Sequence, residues 1–289
     1  VIKEGENGFL FNIDASALEY ADKIKDTFNT PATYSQLRKT ARKNFEERLN
    51  WNRWLDKSNK IIERLASEHQ PDFYLPVYVI NMKERVERKQ HIIKEFDNKE
   101  EFELNLVEAS VHPIGAVGLW NSMIKIIKMA KEKGDDIIVI CEDDHYFTEN
   151  YSPKLLFKEV TEAYIQGAEV LSGGIGGFGQ AIPAGYHRYK VDWFWCTQFI
   201  VVYNRFFDKM LDYSFQDTDT ADGVISKLAT NKMVIYPFIS EQKDFGYSDV
   251  TQSNMEQQGK IREHFAKANK RMEFVSQSNI QSNIPKNYF

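Results

Sequence analysis

Three consecutive carboxylates, Glu142, Asp143 and Asp144, sit inside the stretch V-I-C-E-D-D-H-Y-F at residues 139–147. They follow an apolar run, 137–141, that is short enough to read as a buried strand. In open α/β sheets, ligands gather beyond the carboxyl ends of the strands, where these acids fall. Strand alternation sends Glu142 and Asp144 to one face and Asp143 to the other. Two hard oxygen ligands on one side suit Mg2+ or Mn2+, and such a cation suits a diphosphate. The acids would equally serve, with no ligand, to end the strand and cap the next helix.

Other side chains carry chemistry at readable spacings. Arg85 and Arg88 lie three apart at the start of a helix after the first strand, on one face, where guanidinium groups reach phosphate oxygens. Pairing with Glu84 and Glu87 is the alternative for these arginines. Asn81, at the end of that strand, is placed to hydrogen-bond a base or ribose. D-T-D-T-A-D-G at 217–223 fails as a calcium loop. With Gly223 at position six, positions one, three and twelve are Thr218, Thr220 and Ala229, which cannot hold Ca2+. It reads instead as a helix N-terminus in which Asp222, or Asp219, is a candidate base. G-G-I-G-G-F-G at 173–179 has a formal G-x-G-x-x-G, but A-I-P-A-G at 181–185 leaves no room for the long helix a dinucleotide site needs. A mobile loop beside the site is expected there, with D-W-F-W at 192–195 as a sugar-stacking surface or core. His145, His187 and His264 read as structural, and Cys141 as an inert strand residue.

These residues need elements to position them. Strands are expected at 75–81, 104–107, 137–141, 168–171, 199–203 and 233–237, with helices following Asn81 and at 120–133, 153–165, 206–211 and 221–229. Gly134 is expected to end the helix at 120–133. Strands alternating with helices imply an α/β sandwich with a largely parallel sheet. The first 68 residues differ: 8–11 is a short strand candidate. A helix runs from Asp14 with Asp14 or Ser16 as N-cap, Pro31 breaks it, and a second long helical pattern continues to Leu65. The basic residues of that second pattern could meet anionic lipid or form a solvated face. Residues 69–74 read as a linker, 75–252 as the catalytic domain, and 253–289 as a polar tail with one helix around 256–272. Hydrophobic content of 42% supports a globular core, and a net charge of −5 opposes nucleic-acid binding. The longest aliphatic run, about five residues, is too short to span a membrane. Two cysteines and no signal-peptide pattern point to a reducing compartment, the cytoplasm.

Y-V-I-N-M-K-E-R-V-E-R at 78–88, G-A-V-G-L-W-N-S at 115–122 and I-I-V-I-C-E-D-D at 137–144 resemble glycosyltransferase family 25. T-Q-F-I-V-V-Y at 197–203, D-T-A-D-G-V-I at 219–225, P-F-I-S-E-Q at 237–242 and S-D-V at 248–250 follow in order. The family, which includes bacterial lipooligosaccharide sugar transferases and collagen galactosyltransferases, differs at Leu119, Ser122 and Met123. The resemblance implies a GT-A-like nucleotide-sugar-binding fold using Mn2+ or Mg2+. In it, Asp144 and Glu142 hold the metal, Asn81, Arg85, Arg88, Glu142 and Asp143 serve the donor, and Asp222 is the base. It further implies inverting transfer of a hexose, galactose among the candidates, from a UDP-sugar to a glycan or lipid-linked acceptor. That work would belong to lipopolysaccharide synthesis at the inner face of a bacterial membrane, with peripheral membrane association. Two rival readings are a catalytically inactive glycan- or nucleotide-binding module of the same fold and a nucleotidyltransferase.

E-G-E-N-G-F-L-F at 4–11 and N-W-N-R-W at 50–54 resemble the C-terminal end of family 4 transferases, which have the GT-B fold. Because the chain begins with valine, the expectation is a longer two-enzyme polypeptide whose first transferase is represented only by its end. A helical extension of the catalytic domain is the alternative.

Overall fold

The computed structural model describes residues 2–68, 74–246 and 259–282. The chain divides into two compact units, Val1–Phe73 and Tyr74–Phe289. The linker at 69–73, the S-D-V piece at 248–250 and the tail at 253–258 and 283–289 lie outside the described residues.

In the first unit, helix α1 (Ala17–Asn29) opens with a capping box in which Ser16 and Glu19 satisfy each other's backbone N–H. Asp14 is therefore not the cap. Pro31 separates two helices, as expected, but does so as the first residue of α2 (Pro31–Asn44), where its missing N–H costs nothing. The long second helix is interrupted. A π-helical turn, Phe45–Leu49, leads to an extended Asn50, and α3 (Trp51–Glu68) starts anew. Asn50 makes the break self-sufficient. Its amide donates to the carbonyls of Phe45 (2.9 Å) and Glu46 (2.7 Å), while its Oδ1 accepts from the Arg53 N–H at 3.0 Å. The strand expected at 8–11 does not form among the described residues, where Gly8 makes only an isolated bridge with Glu4.

The second unit runs β1 (Leu75–Asn81), α4 (Val86–Glu95), β2 (Phe102–Glu108), α5 (Gly115–Lys133), β3 (Ile137–Glu142) and β4 (His145–Phe147). It continues through α6 (Pro153–Ile165), β5 (Val170–Ser172), β6 (Gly177–Phe178), β7 (Ala181–Pro183), β8 (Arg188–Val191), β9 (Phe194–Trp195) and β10 (Phe199–Tyr203). It closes with α7 (Asn204–Leu211), α8 (Ala221–Leu228), β11 (Lys232–Ile235), β12 (Ser240–Gln242) and α9 (Lys260–Ser282). Eight strands form one sheet in the order β2-β1-β3-β10-β5-β11-β8-β7. Only β10 and β8 run against the others, so the sheet is mostly parallel and the fold is of the α/β class, as expected.

Period-two alternation explains why the sheet is covered on both sides. Tyr78, Ile80, Ile138, Ile140, Ile200 and Val202 face one core with Trp120, Met123 and Ile127 of α5 and Phe265 and Met272 of α9. Val77, Val79, Val139, Cys141 and Val201 face the other, with Ile92 of α4 and Leu156 and Val160 of α6. Gly134 ends α5 in the left-handed region at φ +78°, where a β-carbon would be strained. Helix α5 begins five residues before the expected start, and α9 is longer and later than expected.

Candidate active site

The carboxyl ends of β1 and β3 open into a cleft of about 410 Å³. Parallel register places Ile80 of β1 opposite Glu142, the last residue of β3. On the other side of β3, the antiparallel β10 delivers the carbonyl of Gln198 to the Glu142 N–H at 3.0 Å. The Glu142 side chain takes a hydrogen bond from Thr197 Oγ1 at 2.7 Å.

Alternation does not continue past Glu142. Residues 143–144 form a turn into β4, so Asp143 does not point away from Asp144 as expected. Both carboxylates accept from the same Arg88 Nη1, at 3.0 Å (Asp143) and 3.2 Å (Asp144), and all three side chains are buried. Asn81 joins this group. Its amide donates to Asp143 Oδ2 at 2.7 Å, so it supports the acid beside the cleft. Gln242 donates to Asp144 Oδ2 at 2.8 Å, brought there by the β4–β12 pairing that sets His145 opposite Gln242. The second Asp144 oxygen, Oδ1, is buried with no hydrogen-bond partner among the described residues.

The electrostatics follow from this burial. Glu142 is pushed up to about 8, first by desolvation and then by the neighbouring Asp144, against the Thr197 hydrogen bond. It is only partly covered by the surface, so the cleft keeps some solvent access to it. Asp144 is raised to about 6 by desolvation, which outweighs the opposing pull of Arg88 and Gln242.

Arg85 and Arg88 part company. Both line the cleft, but Arg88 is in α4 and pairs with the acids, while Arg85 occupies the N-cap position. Asp222, in the first turn of α8, also lines the cleft. It accepts from the Cys196 N–H at 3.1 Å and the Gly223 N–H at 2.8 Å. Asp219 instead accepts from the Tyr213 hydroxyl (3.0 Å) and the Gln216 N–H (2.8 Å), a local turn lock outside the cleft. Ser122 joins α5 to the β2 exit, donating to the Gly118 carbonyl and accepting from the Ser110 N–H.

The glycine-rich loop corrects a further expectation. Residues 173–178 are buried, and 177–178 pair with β9, so this is a close-packed segment rather than a mobile loop. A β-carbon on Gly174 would lie 2.0 Å from the Ser240 carbonyl oxygen. His145 and Cys141 are buried structural residues, with His145 Nδ1 2.8 Å from Ser240 Oγ. His264 is different: with Lys260 it lines the cleft from α9. From sequence, His264 is expected to be structural, and Lys260, Thr197 and Gln242 are given no role. The T-Q and S-E-Q pieces that contain Thr197 and Gln242 were the only signal available.

Among the described residues no three His, Cys, Asp or Glu side chains converge as a ready metal cluster. Two acids fit a cation nonetheless. Asp144 Oδ1, without a hydrogen-bond partner among the described residues, and the Glu142 carboxyl, pushed up by burial and by Asp144, are oxygens whose ionised form a cation would favour, and Mg2+ commonly takes one or two carboxylates plus substrate phosphates.

No protein-family model and no curated protein matches the chain. Solved structures share part of its trace. A197 from STIV is 12% identical at a TM-score of 0.43, over 61% of this chain and 87% of that one. Apo UDP-glucose pyrophosphorylase is 9% identical at 0.38, over 68% and 82%. A glycosyltransferase involved in glycosylation of the major capsid of PBCV-1 is 12% identical at 0.34, over 47% and 63%.

Proposed function

We propose that the chain is a metal-dependent, inverting glycosyltransferase of the family 25 type, moving a hexose from a UDP-sugar to a glycan acceptor. The observation that carries this reading is one cleft in which Glu142, Asp144, Arg85 and Asp222 converge, with a carboxylate oxygen of Asp144 left without a donor. Asp144 and Glu142 would hold Mn2+ or Mg2+, which when bound neutralises the diphosphate leaving group. Arg85 adds positive charge on the β1 side of the cleft, where the diphosphate would lie. Asp222 accepts the proton of the acceptor hydroxyl, whose oxygen attacks the anomeric carbon as the sugar–phosphate bond breaks and UDP departs. The two backbone N–H groups on its carboxylate orient it and leave other lone pairs for that proton. The acceptor would be a lipid-linked or lipooligosaccharide-type saccharide at the inner membrane face, reached by peripheral association. Among the described residues no helix is long and apolar enough to cross a membrane. For residues 1–68 we propose the C-terminal end of a GT-B-type transferase, with a helical extension as the alternative.

One observation favours a non-catalytic binding module. Arg88 already pairs with both Asp143 and Asp144, supplying positive charge that a site without a cation would need. Calorimetry with UDP, with and without Mn2+, separates the two, alongside transfer assays on wild type and Asp144→Ala. The transferase reading expects Mn2+ to tighten UDP binding and the substitution to remove about a hundred-fold or more of the transfer rate. Undiminished transfer by the variant would sink the metal assignment, and glycan binding with neither UDP affinity nor transfer would establish the module.

A further inference from the structure

Trp195 is 47% exposed, although Phe194 before it and Thr197 after it are buried. Its indole lines the same cleft as the acids. Leaving that much aromatic surface wet in a concave site forgoes burial that a core position would gain.

The ring is also held rigidly. Strand β9 pairs with β6, setting Trp195 opposite Gly177, where a β-carbon would come within 2.7 Å of the indole. The Trp193 ring lies 5.1 Å away, and the His264 imidazole 5.5 Å away at 39°. Ser226 of α8 clamps Phe194 from the other side, accepting from its N–H and donating to its carbonyl. The next residue, Cys196, donates its N–H to Asp222. It adopts φ +77°, an uncommon backbone for a residue with a β-carbon. The Trp195 platform and the Asp222 carboxylate are therefore fixed to one another through a single intervening residue.

Position in the sheet assigns this wall to one substrate. Arg85 follows β1, whereas Trp195 precedes β10, and β3 with its acids lies between β1 and β10. The arginine side suits the diphosphate of a donor, and the tryptophan lies across the acids from it. His264, beside the indole, is held below its ordinary titration range by burial and by Lys260 and Lys267.

We propose that Trp195 is the stacking platform for a pyranose ring of the saccharide acceptor, presenting a ring hydroxyl to Asp222. An indole face matches the apolar C–H face of a pyranose, while ring-edge hydroxyls remain free for Asp222 and for Lys260, one turn before His264. This assignment rests on the transferase reading of the same cleft.

The test compares wild type, Trp195→Phe and Trp195→Ala by saturation-transfer NMR with methyl β-galactopyranoside and methyl β-glucopyranoside, with UDP calorimetry on each protein. Saturation should reach the ring protons of at least one pyranoside in wild type and in Trp195→Phe. In Trp195→Ala the affinity should fall about ten-fold, the size of one aromatic contact, while UDP affinity stays within about two-fold. Equal pyranoside contact in Trp195→Ala, or none in wild type, overturns the platform even if metal-enhanced UDP binding is present. Trp195-dependent pyranoside binding without UDP binding keeps the platform and removes the transferase. The Phe variant guards against misfolding, since it preserves the ring that fills the space beside Gly177.

Discussion

Glu142 and Asp144 share one electrostatic problem: each is pushed up by desolvation, to about 8 from the ordinary 4.5 and to about 6 from 3.8. A carboxyl with a raised pKa in the folded state binds protons more tightly folded than unfolded. Its contribution to stability is therefore present at low pH and is lost as pH rises through the folded value. For the metal-free protein, stability should decline from about pH 4 to about pH 8, the window set by these two groups. Glu142→Gln should flatten the upper part of that decline, above about pH 6, because a neutral amide has nothing to ionise there. Thermal or urea unfolding across this range measures it. A wild-type slope unchanged in Glu142→Gln would show that Glu142 is not a strained carboxyl.

At the scale of elements, the expectations that succeeded rest on local patterns. β1, β10 and α6 fall on their expected bounds because apolar periodicity, turn residues and a Pro at the first helical turn are all short-range signals. The two-residue strands β6 and β9, the three-residue β4, β7 and β12, and the four-residue β8 were not read. Each is too short for a pattern; β4 with β12, β6 with β9 and β8 with β11 form through pairing with other segments, and β7 pairs with β8 as a local hairpin at the sheet edge. The glycine loop shows how far such partners constrain a segment. Gly174→Ala would drive a β-carbon into the Ser240 carbonyl oxygen, backbone that cannot swing aside as a side chain would. The loss should be about 3 kcal/mol, at the upper end for overpacking, read by urea unfolding. A change below about 0.5 kcal/mol, the size of a neutral surface substitution, would contradict the close approach.

At the scale of the whole molecule, every residue placed in the cleft belongs to the unit Tyr74–Phe289. That unit has its own two cores, one on each face of the sheet. A fragment spanning residues 74–289 should therefore fold and bind UDP with Mn2+ within about two-fold of the full chain. Calorimetry on both proteins decides this, and a loss of more than about ten-fold would assign part of the donor site to the first unit.

The sequence by itself determined the α/β class, the strand that carries E-D-D and the helix that carries Asp222, because each follows from composition and periodicity within some ten residues. It also put Arg88, Asp143 and Asp144 forward as functional residues without saying how they meet. Only the tertiary structure decided that. Arg88 and Asp143 are 55 positions apart, and their ion pair depends on β1 and β3 being parallel neighbours. The turn after Glu142 cancels the alternation that strand geometry would impose, so Asp143 joins Asp144 instead of opposing it. The position of Asp222 in the cleft, the hydrogen bond from Asn81 to Asp143 and the placement of Trp195 next to Cys196, whose N–H meets Asp222, are likewise matters of long-range contact. A hydrogen bond between distant segments leaves no periodic trace in either one.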